Sequence, residues 1–213
     1  MRKGLFFMLP VLALCGVAPF AHTQEGPDAL KEYRLGNYGA AVDICTAELR
    51  TSPANMDSHA VLCWSLVQLG RYDEAARYAV AARAINRYDP RIVEILAEVR
   101  YHQGKNEEAI KLFQEYLTLA PEGGRVDSAY YYMGELYIRF GRYRHADIAL
   151  SAAVRYASGN ASWWTRLGYA REQAKDQRWS IEAYERALAL DPQSADARRG
   201  LERMRRTSAT AAR

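Results

Sequence analysis

The reactive side chains of this chain are three cysteines, four histidines and scattered carboxylates, and their spacing decides what chemistry they could do. No Cys-x-x-Cys, His-Glu-x-x-His or phosphate-cradling glycine loop occurs, so the common redox, zinc and nucleotide signatures are missing. His59, His102 and His145 recur at a spacing of 43 residues, which would make a metal site only if the fold brought all three to one surface. Trp163-Trp164 has the form of a sugar platform or of packing residues. Asn160-Ala161-Ser162 fits a glycosylation acceptor, but its place at a join between expected helices explains it as a helix cap. No clustered acid, base and nucleophile emerges, so neither a catalytic set nor a cofactor is assigned.

Composition excludes more. The chain has 213 residues, 49% hydrophobic and 25% charged, enough to bury a core. Its 29 basic and 25 acidic residues give a formal charge of +4. Arg2 and Lys3 contribute two of those charges from a segment expected to be removed. What is left has no whole-molecule field to gather nucleic acid.

That segment opens Met1-Arg2-Lys3, continues as an apolar run from Gly4 to Ala18 and turns polar at His22-Thr23-Gln24-Glu25, the grammar of an export signal over residues 1–23. Cleavage is expected between Ala21 and Gln24. Pro10 and Pro19 interrupt a run barely long enough to span a bilayer, which disfavours a retained anchor. Leu12-Ala13-Leu14-Cys15 resembles a bacterial lipoprotein box, making Cys15 a candidate lipidation site, although Leu14 is larger than such boxes usually carry. The expected location is the periplasm or the outer membrane, with membrane contact only through a lipid anchor.

The elements that must position the remaining residues announce themselves by a repeat. Leu35-Gly36-Asn37-Tyr38, Leu69-Gly70-Arg71-Tyr72, Gln103-Gly104-Lys105-Asn106 and Phe140-Gly141-Arg142-Tyr143 place their glycines 34, 34 and 37 residues apart. A fifth copy, Ala174-Lys175-Asp176-Gln177, keeps the 34-residue spacing and lacks the glycine. Each glycine falls where one helix ends and the next starts, a turn requiring a left-handed residue. The alanine five residues later lets two helices approach closely. Asp89-Pro90 fits an N-cap with proline at the first helical position, and Pro53, Pro121 and Pro192 fall where second helices must stop.

These residues resemble the tetratricopeptide repeat family, whose 34-residue unit is an antiparallel helix pair. The fifth copy carries the pattern most fully, with Trp164, Leu167 and Gly168 in its first helix and Tyr184, Ala187 and Pro192 in its second; the fourth carries Tyr130, Met133, Gly134 and Tyr137. The resemblance implies an all-α, right-handed superhelical solenoid of about five helix pairs over residues 26–192. The copies fall at about 26–55, 56–89, 90–126, 127–160 and 161–193. A capping helix over 194–206 and a disordered tail over 207–213 complete the expectation. Gly26 and Pro27 predict a short first helix, and three extra residues within Pro121–Val126 predict a longer third join. The period of 34 puts His59, His102 and His145 at different places in their repeats, against a shared metal site.

A solenoid of this type has a concave face lined by the first helix of each pair. Mapping the family's inward positions gives Leu30, Tyr33, Arg34, Trp64, Gln68, Glu94, Glu98, Tyr101, His102, Tyr131, Glu135, Arg139 and Tyr169 as candidate groove residues. Aromatic and arginine side chains are the commonest interface anchors, so the resemblance implies a groove for a peptide or helix of a protein partner. The lysine, asparagine and arginine set of the chaperone-tail groove is absent, with only Arg166 matching. Cys45 and Cys63 each lie nine residues from Ala54 on antiparallel neighbours, at equal height, and read either as a disulfide or as two small buried thiols. The expected function is a non-catalytic scaffold or adaptor that recruits proteins to an envelope machine. The alternative is a solute- or glycan-binding accessory of an envelope transport system, which would need a deep pocket.

Overall fold

A computed structural model describes residues 28–211, and within them the side chains as far as Thr207. Eleven helices occupy the described residues. They are α1 (Ala29–Arg34), α2 (Tyr38–Thr51), α3 (Met56–Gln68), α4 (Tyr72–Ile85), α5 (Pro90–His102), α6 (Asn106–Leu119), α7 (Val126–Arg139), α8 (Tyr143–Tyr156), α9 (Ala161–Gln173), α10 (Gln177–Leu190) and α11 (Ala195–Ala211). Each helix packs against its sequence neighbours, and odd-numbered helices also touch the next odd-numbered one, so five pairs stack as an all-α solenoid closed by α11. The expected architecture is what the structure holds.

Local chemistry sets the boundaries. Asp28, Asn55, Asp89, Asn160 and Asp176 cap their helices with a side-chain oxygen that accepts from a first-turn N–H. Inside each pair the turn is made by a left-handed residue: Gly36 (φ 82°), Gly70 (φ 70°), Gly104 (φ 71°) and Gly141 (φ 67°). At Gly70, its own N–H reaches Val67 O at 3.0 Å and the Arg71 N–H reaches Leu66 O at 2.8 Å, satisfying carbonyls the helix end would leave bare. The fifth turn keeps the same geometry with Lys175 at φ 66°. Second helices α2, α6 and α10 end two residues before Pro53, Pro121 and Pro192.

Close approach follows from small residues. Ala41, Ala75, Ala109 and Ala146, each five residues past the turn glycine, are fully buried. The fifth copy has Ser180 there, equally buried, and its hydroxyl donates to Gly168 O at 2.9 Å. The core is therefore a series of linked clusters, each shared by adjoining repeats.

Two ends depart from regularity. At the start, α1 is only six residues long and buries Ala29 alone, as Gly26 and Pro27 imply. At the far end, α11 starts with Ser194 Oγ accepting from Ala197 N–H at 3.4 Å and buries Ala197 and Leu201 against Tyr184 and Ala187. It runs to Ala211, past Arg206, so residues 207–211 are helical where a disordered tail was expected. No glycine or proline follows Gly200, and the Thr207 hydroxyl donates to Arg203 O at 3.0 Å, so nothing stops the helix there. The export signal of residues 1–23 and Cys15 lie outside the described residues.

Candidate functional site

The first helices α1, α3, α5, α7 and α9 bring the candidate groove residues to one face in two clusters. In the first, the rings of Tyr33 and Trp64 lie 5.9 Å apart, both half-buried, with Leu30 in the same apolar cluster. Arg34 and Gln68 end their helices exposed beside them.

The second cluster is built on α5, α7 and α9. The Arg139 guanidinium lies 3.9 Å from the centre of the Tyr101 ring, and it donates to Asn106 Oδ1 at 3.1 Å. Tyr131 stacks on Trp163 at 4.8 Å with planes 10° apart. Glu135 accepts two hydrogen bonds from Arg166, at 2.6 and 2.8 Å, and the same guanidinium sits 5.2 Å from the Tyr169 ring. His102 stacks on Tyr72 at 4.4 Å, and burial holds its imidazole below the usual range, with Glu98 pulling it upward. Burial pushes the Tyr131 phenol up to about 12, helped by the nearby Glu135 carboxylate.

Glu94 and Glu98 are corrected. Read as groove contacts, they are 1% and 8% exposed, sealed under a side chain that spacing alone did not point to. The three extra residues before α7 deliver Arg125 over α5, where its Nε donates to Glu94 Oε1 at 3.0 Å and its Nη2 to Glu98 Oε2 at 2.7 Å. The Arg125 N–H donates to the Tyr116 hydroxyl at 3.1 Å, and the Tyr132 hydroxyl donates to Glu98 Oε1 at 2.9 Å. Two desolvated carboxylates need a cation, and this clasp supplies one between the two clusters. Burial pushes Glu94 up to about 7, against the pull of Arg125.

Trp163, Arg125 and Tyr132 are thus the face residues that sequence reasoning missed. Trp163 was legible as one half of a Trp-Trp pair whose other member packs inward; Trp164 donates its indole N–H to Ser158 O at 2.9 Å. Arg125 carried no signal beyond its place in the insertion.

Cys45 and Cys63 are free thiols buried in the first cluster of the core, so the disulfide reading gives way to the packing one. The Cys63 thiol faces Ala75 O at 3.7 Å, and burial pushes both thiols up to about 12, far from thiolate character. Of the three spaced histidines, His59 is buried with Nε2 3.0 Å from Pro53 O, His102 stands on the concave face, and His145 lies 5.3 Å from the Tyr137 ring. A hollow of about 630 Å³ lined by Tyr130, Ser151, Ala152, Arg155 and Tyr156 lies apart from the groove residues.

Comparisons with known proteins bear on the fold. The profile of the tetratricopeptide repeat family matches residues 62–124 and 131–195. Anaphase-promoting complex subunit 3 of Schizosaccharomyces pombe is 27% identical over 155 residues, covering 70% of this chain and 22% of that protein. The chain thus spans about a fifth of the length of the curated relative it matches. The solved APC/C hetero-tetramer Cut9–Hcn1 has a chain that superimposes with TM-score 0.72 and 22% identity, over 83% of this chain and 34% of that one. MamA from Desulfovibrio magneticus RS-1 superimposes with TM-score 0.64 and 23% identity, over 72% and 85%. With more than half its length matched by the family profile and its helices packed in successive pairs, the chain belongs to the tetratricopeptide repeat family.

Proposed function

We propose that this protein is a non-catalytic scaffold or adaptor of the cell envelope that holds a peptide or helix of a partner protein against its concave face. The observation that carries the reading is the run of half-buried aromatic rings on successive first helices: Tyr33, Trp64, Tyr101, Tyr131, Trp163 and Tyr169. Such rings offer large contact area with few rotatable bonds to freeze, the character of interface anchors. Neighbouring polar groups are mostly held in place already, Glu135 by Arg166 and Arg139 by Tyr101, so the surface is preorganised. The envelope part of the reading rests on the basic-then-apolar residues 1–23.

The test uses protein purified from its own host. Envelope extracts passed over the wild type should yield a specific protein, and Trp64→Ala or Tyr131→Ala should lower its retention by about tenfold, the loss expected when one interface anchor is truncated. No specific protein, or variants that capture like wild type, would count against the groove. Intact mass decides the location: loss of the leader, or a lipid on Cys15, supports the envelope, and an unprocessed cytosolic chain removes it.

A further inference from the structure

The partner chemistry can be narrowed from the charges on one edge of the stack, an inference that rests on the groove reading above. The last side chain of each first helix stands two residues before the turn residue, and in the first four repeats these are Arg34, Gln68, His102 and Arg139, all exposed. None is acidic. They form one lip of the concave face, with a hydrogen-bond donor in every repeat.

At the fourth repeat the same edge becomes strongly basic. Three and four residues past the turn glycine, the second repeat carries Asp73-Glu74 and the third Glu107-Glu108, whereas the fourth carries Arg144-His145. With Arg142 in the turn itself, Arg139, Arg142 and Arg144 are exposed within six residues. No carboxylate among the described residues lies within ion-pair distance of any of these three. Arg71, Arg83, Arg91, Arg100, Arg125, Arg166 and Arg171 all have one. Arg139 uses only Nη1, towards Asn106 Oδ1 at 3.1 Å and Tyr101 O at 3.4 Å. Its guanidinium is held over the Tyr101 ring, with no carboxylate beside it.

We infer that this lip takes an extended, glutamate- or aspartate-bearing segment of the partner, anchored by Arg139 with Arg142 and Arg144 and running towards Arg34. Successive first helices lie roughly 10 Å apart, close to one turn of a polyproline II segment, whose three residues rise about 3.1 Å each and return every third side chain to the same side. Acidic residues at every third position would therefore meet one donor per repeat, and of the carboxylates on the same edge Asp73, Glu74 and Glu108 are already held by Gln103, Arg71 and Arg100.

Fluorescence anisotropy with a labelled 16-residue peptide, glutamate at every third position among alanine and serine, tests this on the full protein. The glutamate peptide should bind, its glutamine counterpart should not, and the same number of glutamates in one run should bind more weakly. Arg139→Gln should weaken binding about fivefold and the Arg142→Glu/Arg144→Glu pair at least as much, both with unchanged helicity, and added salt should weaken the wild type. The exposed double variant guards against a folding defect at Arg139. Equal binding of the glutamine peptide or of the clustered peptide, or indifference of both variants, overturns the inference. So does an RNA oligomer of equal charge that competes as well as the peptide. If the partner captured through Trp64 and Tyr131 is retained in full by both arginine variants, only the acidic-lip inference falls; if the Trp64 and Tyr131 variants capture normally, the groove reading falls.

Discussion

Glu94 shows how a single residue can sit in the right register and still leave the surface. It lies on the inward side of α5, as the repeat register says, but Arg125 covers it and it is 1% exposed. Spacing fixes which face a helical residue occupies; it does not say what a neighbouring loop lays on top. The consequence is a titration. Burial raises the folded pKa of Glu94 to about 7, above the value of about 4.3 expected in an unfolded chain. A carboxyl raised in this way contributes stability fully below the unfolded value. That contribution is lost as pH rises towards 7, because the unfolded chain releases the proton first. The groups facing it, Glu98, Arg125 and Asp127, leave that direction unchanged. Urea unfolding between pH 5 and pH 8 should therefore show wild-type stability declining, with a flatter profile for Glu94→Gln. Parallel profiles for the two proteins would mean that Glu94 does not keep its proton in the folded state.

At the level of elements, most of the chain was legible because each boundary has a chemical mark. Turn glycines at 36, 70, 104 and 141, caps at Asp89 and Asn160, and prolines just past second helices all mark transitions the structure makes. The fifth turn lacks its mark and forms anyway. Lys175 adopts φ 66° because Lys175 N–H to Glu172 O (3.1 Å) and Asp176 N–H to Arg171 O (2.9 Å) complete the same motif, with α9 and α10 already packed. A non-glycine residue in that conformation costs about 1–2 kcal/mol, partly offset in a Gly variant by the larger entropy of the unfolded chain. Lys175→Gly should then stabilise the protein by roughly 0.5–1 kcal/mol and raise its thermal midpoint by about 2 °C. A midpoint that falls would show that the lysine side chain contributes more than its backbone costs. What escaped the element reading was length: α11 continues beyond Arg206 because no glycine or proline follows Gly200 to stop it.

Over the whole molecule, stability is the sum of neighbouring interfaces, and those interfaces are unequal. Repeat one is the weakest, since α1 offers six residues and one buried side chain, and α2 buries only Ala41, Val42 and Cys45. The interior is better supplied: nine residues of α3 and eight of α5 are buried, and α7 and α8 pack the most extensively of any pair. The third join is sparse between α6 and α7, yet Arg125 ties it back to α5 through Glu94 and Glu98. In a stack that contacts only neighbours, opening should start at the poorly covered end and spread inward. Hydrogen exchange should thus find the amides of α1 and α2 exchanging first and those of α3, α5, α7 and α8 last. A partner lying across Tyr33 and Trp64 should slow the N-terminal exchange most, because that is where order remains to be gained. If α1 and α2 are as protected as α7 and α8 in the free protein, the stack is not governed by its nearest-neighbour interfaces, and the first repeat draws support from contacts other than those of its own short helices.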